Sequence, residues 1–264
     1  MNIIFFTQED PFYVKGFFDE FLSQFKSIED IKAIVISHPM GKKSITKLAR
    51  QMYEFYGPRD FVRMGVRYGF RTLMSKRQIP KAENGIPPKT YSVKNVADVY
   101  GIPVLARSEL NSEEFRKLIK TYDPDLFISI ASPVIFKEEL IKIPRLGCIN
   151  IHTAPLPWYR GMLPSFWQLY HGEKEAGITI HRIDEGIDTG DIIIQHSLPI
   201  YPEESLDKLI LRTKRESAKL MVKVIDSFRK GEVQYRKMEG EGSYFTFPSR
   251  EDVREFKRMG KRLL

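Results

Sequence analysis

A recurring alternation of short apolar runs with amphipathic stretches most constrains what this chain can fold into. The runs Ile3-Ile4-Phe5-Phe6, Ile31-Lys32-Ala33-Ile34-Val35-Ile36-Ser37, Val104-Leu105-Ala106, 125–131 and 148–152 are too short for buried helices. Most are rich in β-branched or aromatic residues, which marks strands. Between the first two, Val14, Phe17, Phe18, Phe21, Leu22 and Phe25 recur at helical spacing over about 13–26. Further helices are predicted at about 111–121 and 136–141. Strands that alternate with helices predict an α/β fold with a doubly wound, mostly parallel sheet. Ligands of such sheets sit beyond the carboxyl ends of the strands.

The fifth run ends in a place where a site is expected. Asn150 and His152 alternate within Cys148-Ile149-Asn150-Ile151-His152, so both side chains leave one strand face. Asp188 follows 36 residues after His152, inside Asp184-Glu185-Gly186-Ile187-Asp188-Thr189-Gly190. An amide, an imidazole and a carboxylate are the groups needed to attack a carbonyl-type carbon and hold its developing charge. Taken singly, a strand histidine is an ordinary core residue, and an Asp before Thr-Gly an ordinary turn builder. Cys148 shares the same face and reads as a small buried side chain. His171, His181 and His196 are not spaced as metal ligands, and His181 reads as structural. Downstream, Pro164 opens a helix that Gly172 closes. Runs 177–183 and 192–195 flank the Asp188 loop as a hairpin. A long amphipathic helix is predicted over about 204–230, then a strand at 233–237 and a helix at about 249–258.

Charge is concentrated rather than spread. The chain carries a net +8, yet Lys42 to Lys94 alone holds thirteen Lys/Arg against three acids, a net of +10. Arg59, Arg63, Arg67 and Arg71 recur every four residues after the break at Gly57-Pro58 and form one helical stripe. Such a stripe tracks phosphates, lies on a membrane surface, or packs on the core with its arginines in water. The single cysteine excludes a disulfide framework and a multi-cysteine metal site, and fits a reducing, cytoplasmic compartment. No basic region precedes the N-terminal apolar run, and Glu9 and Asp10 interrupt it, so a signal peptide is not expected. No run approaches the roughly 20 apolar residues of a spanning helix.

Four ordered motifs resemble one family: Asn150-Ile151-His152; Pro155-Leu156-Pro157-Trp158-Tyr159-Arg160-Gly161; Gly177-Ile178-Thr179-Ile180-His181; and Asp184 to Asp191. Together they resemble the formyltransferases that use 10-formyltetrahydrofolate. That family includes methionyl-tRNA formyltransferase, glycinamide ribonucleotide formyltransferase, amino-sugar formyltransferases and formyltetrahydrofolate deformylase. The likeness is dense over about 125–198, topological over 1–40 and 95–124, and weak elsewhere. It implies a Rossmann-like catalytic core over 1–200 with a basic helical insert at about 42–94. A C-terminal helix and short tail over 201–264, without a full second domain, would follow.

The resemblance implies that Asn150, His152 and Asp188 are the catalytic trio. Asn150 would donate to the oxyanion, His152 would donate while protonated or manage protons, and Asp188 would favour the charged imidazole. It also implies folate contacts from Ser132, Val134 and Ile135 and from Asp184, Glu185, Gly186 and Ile187. Arg63, Arg67, Arg71 and Arg160 are expected to meet an anionic acceptor, and no metal is expected. Trp158 and Tyr159 fit either the site loop or the core.

The departures concern the acceptor. Glycinamide ribonucleotide formyltransferases carry a Gly-rich phosphate loop after the first strand; here Thr7-Gln8-Glu9-Asp10 has two acids and no glycine. Methionyl-tRNA formyltransferases add a barrel-like domain larger than the stretch after Ile200 holds. They also use a basic insertion to grip tRNA, which the segment after Lys42 matches. The expectation is therefore formyl transfer from 10-formyltetrahydrofolate to an amine on charged tRNA or, alternatively, on a nucleotide-linked amino sugar. A formyltetrahydrofolate hydrolase and a non-catalytic nucleic-acid or membrane-surface binder are the other readings, and oligomeric state is left open.

Overall fold

In the computed structural model, which describes residues 1–37, 45–77, 79–80 and 87–264, chain order follows the predicted alternation. β1 (Ile3–Gln8), α1 (Tyr13–Gln24) and β2 (Ile31–Ser37) form the first β-α-β unit. α2 (Ile45–Ser75) and α3 (Val93–Val99) lead to β3 (Val104–Ala106). α4 (Glu113–Lys120), β4 (Leu126–Ile130), α5 (Glu138–Ile141) and β5 (Cys148–His152) follow. Next come the two-residue β6 (Arg160–Gly161), α6 (Pro164–Tyr170), β7 (Glu175–Arg182) and β8 (Ile192–Pro199). α7 (Leu206–Lys230), β9 (Tyr244–Phe245) and α8 (Arg250–Arg258) complete the described elements. Lys42, Lys43, Lys81 and Glu83 of the basic segment lie outside the described residues.

The sheet runs β3-β2-β1-β4-β5-β7-β8. It is parallel from β3 through β5, and β7 is antiparallel to both β5 and β8. Because β1 is buried on both faces, its residues are continuously apolar and sort by parity. Ile3 and Phe5 join the layer with α1, α3, α6 and α7, which includes Phe21, Leu209 and Met221. Ile4 and Phe6 join the layer with α4 and α5, which includes Phe115 and Leu140. Strand order reverses between β1 and β4, so the crevice beyond their carboxyl ends is open for a ligand. Among the described residues no helix is long and apolar enough to cross a membrane.

Three local expectations change. The first concerns the basic segment, which ends in a core helix: Val93, Val96 and Ala97 of α3 are buried, and the Ser92 side chain caps it by accepting from Asn95 N–H. Its lysines had concealed a crossover helix.

The second is the 233–237 stretch, which is not a strand. Arg236 alone bridges Ile192, with N–H···O bonds of 2.7 and 2.8 Å. The strand of the tail is instead β9, paired in parallel with β6.

The third concerns the arginine stripe, which turns partly inward. α2 breaks at Gly57 (φ 76°). Beyond it, Arg67 and Arg71 lie over the Phe12 ring at 5.1 and 4.8 Å. Arg67 pairs with Asp207 at 3.5 Å, and Arg71 donates to the Pro11 carbonyl. Arg59 and Arg63 stay exposed. With this face inward, Val62, Val66, Phe70 and Leu73 are left 56% to 68% exposed.

Candidate active site

Strand pairing assembles the site. β4 and β5 pair Ser129 with Asn150, and β5 and β7 pair Asn150 with His181. Asp188 comes from the β7–β8 connection, with φ 54°. Its Oδ2 accepts from Gly161 N–H at 3.0 Å and lies 3.4 Å from His152 Nδ1. Its Oδ1 accepts from Asn150 Nδ2 at 3.4 Å and lies 3.5 Å from His181 Nε2. Gly161 is required here. Its φ is +94°, and a Cβ would stand 2.3 Å from the Phe245 carbonyl oxygen. Only glycine lets β6 lie on β9 and so present its N–H to Asp188.

The hydrogen bonds decide which nitrogen of His152 does chemistry. Nε2 lies 2.7 Å from the Tyr159 carbonyl oxygen. A carbonyl only accepts, so Nε2 carries a proton and Nδ1, facing Asp188, is the atom that gains or loses one. Burial lowers the imidazole pKa below its ordinary value, outweighing Asp188, which raises it. Asp188 does raise the imidazole pKa, as the sequence leads one to expect, but burial outweighs it, and of the two expected roles the ring rests in the neutral, proton-accepting one, with Nδ1 unprotonated. Burial pushes Asp188 up; the Gly161 N–H opposes this at all times and the His181 and His152 rings oppose it when protonated, so the carboxyl lies below its ordinary value. The site thus keeps an ionised carboxylate beside a neutral base.

His181 is a site residue that sequence reasoning had called structural. It is 2% exposed, its Nδ1 lies 2.8 Å from the Arg182 carbonyl oxygen, and its Nε2 lies 3.2 Å from Asn150 Nδ2. The Nδ1–H tautomer donates to the carbonyl and lets Nε2 accept from Asn150, orienting its amide. The signal was the β5–β7 register, which needs the assembled sheet. The loop after His152 is held by buried Gln168, which donates to the Thr153 carbonyl at 2.8 Å and accepts from Gly177 N–H at 2.9 Å. Tyr159 N–H donates to Ser243 Oγ at 2.8 Å, so the tail fastens the same loop.

Asn150, His152 and Asp188 open onto a cavity of about 510 Å³. Of the residues expected to contact folate, Ser132, Val134, Ile135, Asp184, Gly186 and Ile187 line it, and exposed Glu185 does not. Asp184 also builds its own loop, since its Oδ1 accepts from Gly186 N–H and Thr189 Oγ1 at 3.0 and 2.7 Å. Val134, Ile135, Phe136, Ile183 and Ile187 make an apolar wall suited to a flat heteroaromatic ring, and the volume suits a small-molecule ligand. Arg63, Arg67, Arg71 and Arg160 are not among the lining residues. Trp158 is 53% exposed, whereas Tyr159 is buried.

Two further features were not foreseen. Lys214 of α7 and Tyr244 of β9 also line the cavity. At the β1 exit, Glu9 accepts from Val93 N–H and Lys94 N–H at 2.8 and 3.3 Å, capping α3. Asp10 Oδ1 accepts from Phe12 N–H and Tyr13 N–H at 2.8 and 3.0 Å, capping α1. Both helix N-termini there are filled by the chain's own carboxylates.

Residues 75–225 match the family model described as formyl transferase. A methionyl-tRNA formyltransferase of Thermodesulfovibrio yellowstonii is 36% identical over 152 residues, 58% of this chain and 49% of that protein. The chain thus spans about half the length of the curated relatives it matches. Among solved structures, the N-formyltransferase from Helicobacter canadensis in complex with folinic acid and dTDP-3-aminofucose superposes with a TM-score of 0.57 at 18% identity. That match covers 97% of this chain and 79% of that one. Glycinamide ribonucleotide transformylase 1 from Symbiobacterium toebii gives 0.59 at 14% identity, covering 90% and 94%. At these identities the superpositions establish a shared fold.

Proposed function

Because this chain belongs to the formyl transferase family, we propose that it moves a formyl group from 10-formyltetrahydrofolate to a primary amine on an anionic acceptor. The observation that carries this reading is the convergence of Asn150, His152 and Asp188 beside an apolar wall, with the His152 pKa lowered by burial and its Nδ1 3.4 Å from Asp188 Oδ2. The folate, when bound, supplies an activated formyl carbon. Ser132, Val134, Ile135, Gly186 and Ile187 would hold its ring system. Asn150 keeps its 3.2 Å contact with His181 Nε2 and would turn the N–H that reaches Asp188 at 3.4 Å to the formyl oxygen as charge develops there. His152 Nδ1 takes the proton that the attacking amine must lose and would return it to the donor nitrogen as the bond from that nitrogen to the formyl carbon breaks, while ionised Asp188 stabilises the imidazolium formed in between. His181 keeps the Asn150 amide aimed.

The proposed unit is the core over 1–200, with 201–264 closing the site through Ser243 and Tyr244. We place its work in the cytoplasm, on the reducing environment that a single buried cysteine suits. Methionyl-tRNA is the first acceptor to test, since the curated relatives carry that name. The test incubates the protein with 10-formyltetrahydrofolate and, in parallel, charged initiator tRNA, a panel of nucleotide-linked amino sugars, or water alone. Acceptor-dependent release of tetrahydrofolate with formyl appearing on the amine supports the reading. Equal release of formate without any acceptor would replace it with a hydrolase.

A further inference from the structure

Lys214 is a charged group in the cavity wall that the trio does not use. It lies on the buried face of α7 with Thr213, Ser217, Ala218 and Met221, and is only 9% exposed. Among the described residues no hydrogen bond or ion pair holds its ammonium, and its side chain lines the cavity with His152, Leu163 and Tyr244. A leucine or methionine would suit the buried face of a helix far better, because burying an ammonium is costly, and Asp10 offsets only part of that cost. Burial lowers its pKa to about 8, with Asp10 opposing that shift, so it stays mostly charged at neutral pH. It stands close enough to His152 for its charge to depress the imidazole further.

Its position in the layers separates it from the donor. Val134, Phe136 and Ile183 pack with the α4–α5 layer. Lys214 comes from α7, which packs on α1 in the opposite layer. An anion on Lys214 would therefore sit on the α7 side of the cavity, away from the apolar wall. The neighbouring places where a phosphate would normally rest, the N-termini of α1 and α3, are already taken by Asp10 and Glu9.

We infer that Lys214 is the acceptor anchor of this site, its ammonium binding an oxyanion, phosphate or carboxylate, carried by the incoming amine. The word acceptor rests on the proposed formyl transfer; the anion site itself does not. It makes Lys214 a specificity-determining residue that holds the nucleophile's own charge rather than the formyl donor's.

The test compares the full chain with Lys214→Met, which keeps an unbranched side chain one atom shorter and removes charge, and Lys214→Arg, which keeps charge. Inorganic phosphate and acetate are titrated by calorimetry, and tetrahydrofolate and a pteroate lacking the glutamate tail are titrated separately. The wild-type chain binds at least one anion, Lys214→Met weakens it about 10- to 100-fold, and Lys214→Arg recovers part of the loss. Which probe binds identifies the oxyanion. Both folates bind all three proteins alike. In the transfer assay Lys214→Met raises the acceptor KM and leaves the donor KM near wild type. No anion binding by the wild-type chain, or equal binding by Lys214→Met, overturns the inference. So does a loss confined to the glutamate-bearing folate, which would assign Lys214 to the donor's tail, or an equal loss for donor and acceptor. Anion binding that depends on Lys214 in a protein that transfers no formyl group would sink the proposed function and leave the anion site standing.

Discussion

Replacing Asp188 by Asn tests the reacting set most directly, because the side chain keeps its shape and loses its charge. In the native site the carboxylate lies 3.4 Å from His152 Nδ1. Two unit charges at that separation interact by about 5 kcal/mol at an effective dielectric near 20, and such a neighbour shifts a pKa by about 1–3 units. The substitution should therefore weaken the base by about 1–3 units, or about 1.4–4 kcal/mol of support for the imidazolium. If the amine's proton moves to Nδ1 in the transition state, kcat falls about 10- to 1,000-fold. The assay is kcat at saturating donor across pH, with a thermal melt to confirm folding. Wild-type activity should rise with pH through an acid limb lying below the ordinary histidine value, because burial lowers the His152 pKa. In Asp188→Asn that limb moves to still lower pH and the plateau drops. A plateau within about threefold of wild type, or a limb displaced upward, would refute the assignment of His152 as base and Asp188 as its charge partner.

Four other outcomes follow from the same structure. The lowered pKa of His152 means the unfolded chain binds its proton first. That share of stability is present above about pH 6.5 and is lost as pH falls through the folded value, and His152→Asn should flatten that slope in pH-dependent melts. Lys214→Met should raise stability at pH 7 by at most about 3 kcal/mol, since a shift from 10.5 to about 8 is roughly 2.5 units of penalty. The wild-type chain, but not the variant, should gain stability between pH 8 and 10.5, and denaturant titrations at both pH values check this. Gly161→Ala should cost about 2 kcal/mol or more and lower kcat, because its Cβ meets the Phe245 carbonyl and pulls the N–H from Asp188; an unchanged melt would contradict the requirement for glycine. Arg71→Ala should cost about 1–2 kcal/mol through loss of its contacts to Phe12 and Pro11, and exposed Arg63→Ala less than about 0.5 kcal/mol, as urea unfolding would show.

Much of the fold was legible because its signals are local. The continuous apolar runs of β1 and β2, the helical spacing of α1 and the Asn150–His152 alternation each lie within a few residues and report a period. The loop that presents Asp188 announces itself by turn residues. α3 was hidden because Lys94 and its neighbours merged it with the basic segment, and a seven-residue helix has little period to read. β9 was missed because two residues pair only where β6 happens to pass.

By itself, then, the sequence determined the strand–helix order, the parallel sheet and the residue types that meet at the end of β5. Tertiary structure alone decided their chemistry. Periodicity identifies a face and says nothing of what meets it. The arginine stripe and the apolar stripe of α2 are equally periodic, and Phe12 with Asp207 chose which turns inward. The Tyr159 carbonyl chose the His152 tautomer, and burial chose its charge. Lys214 is one more lysine on an amphipathic helix until the sheet closes over it and leaves its ammonium facing the cavity. Protonation state and orientation depend on solvent exclusion and on partners distant in the chain, and those exist only once the layers have packed.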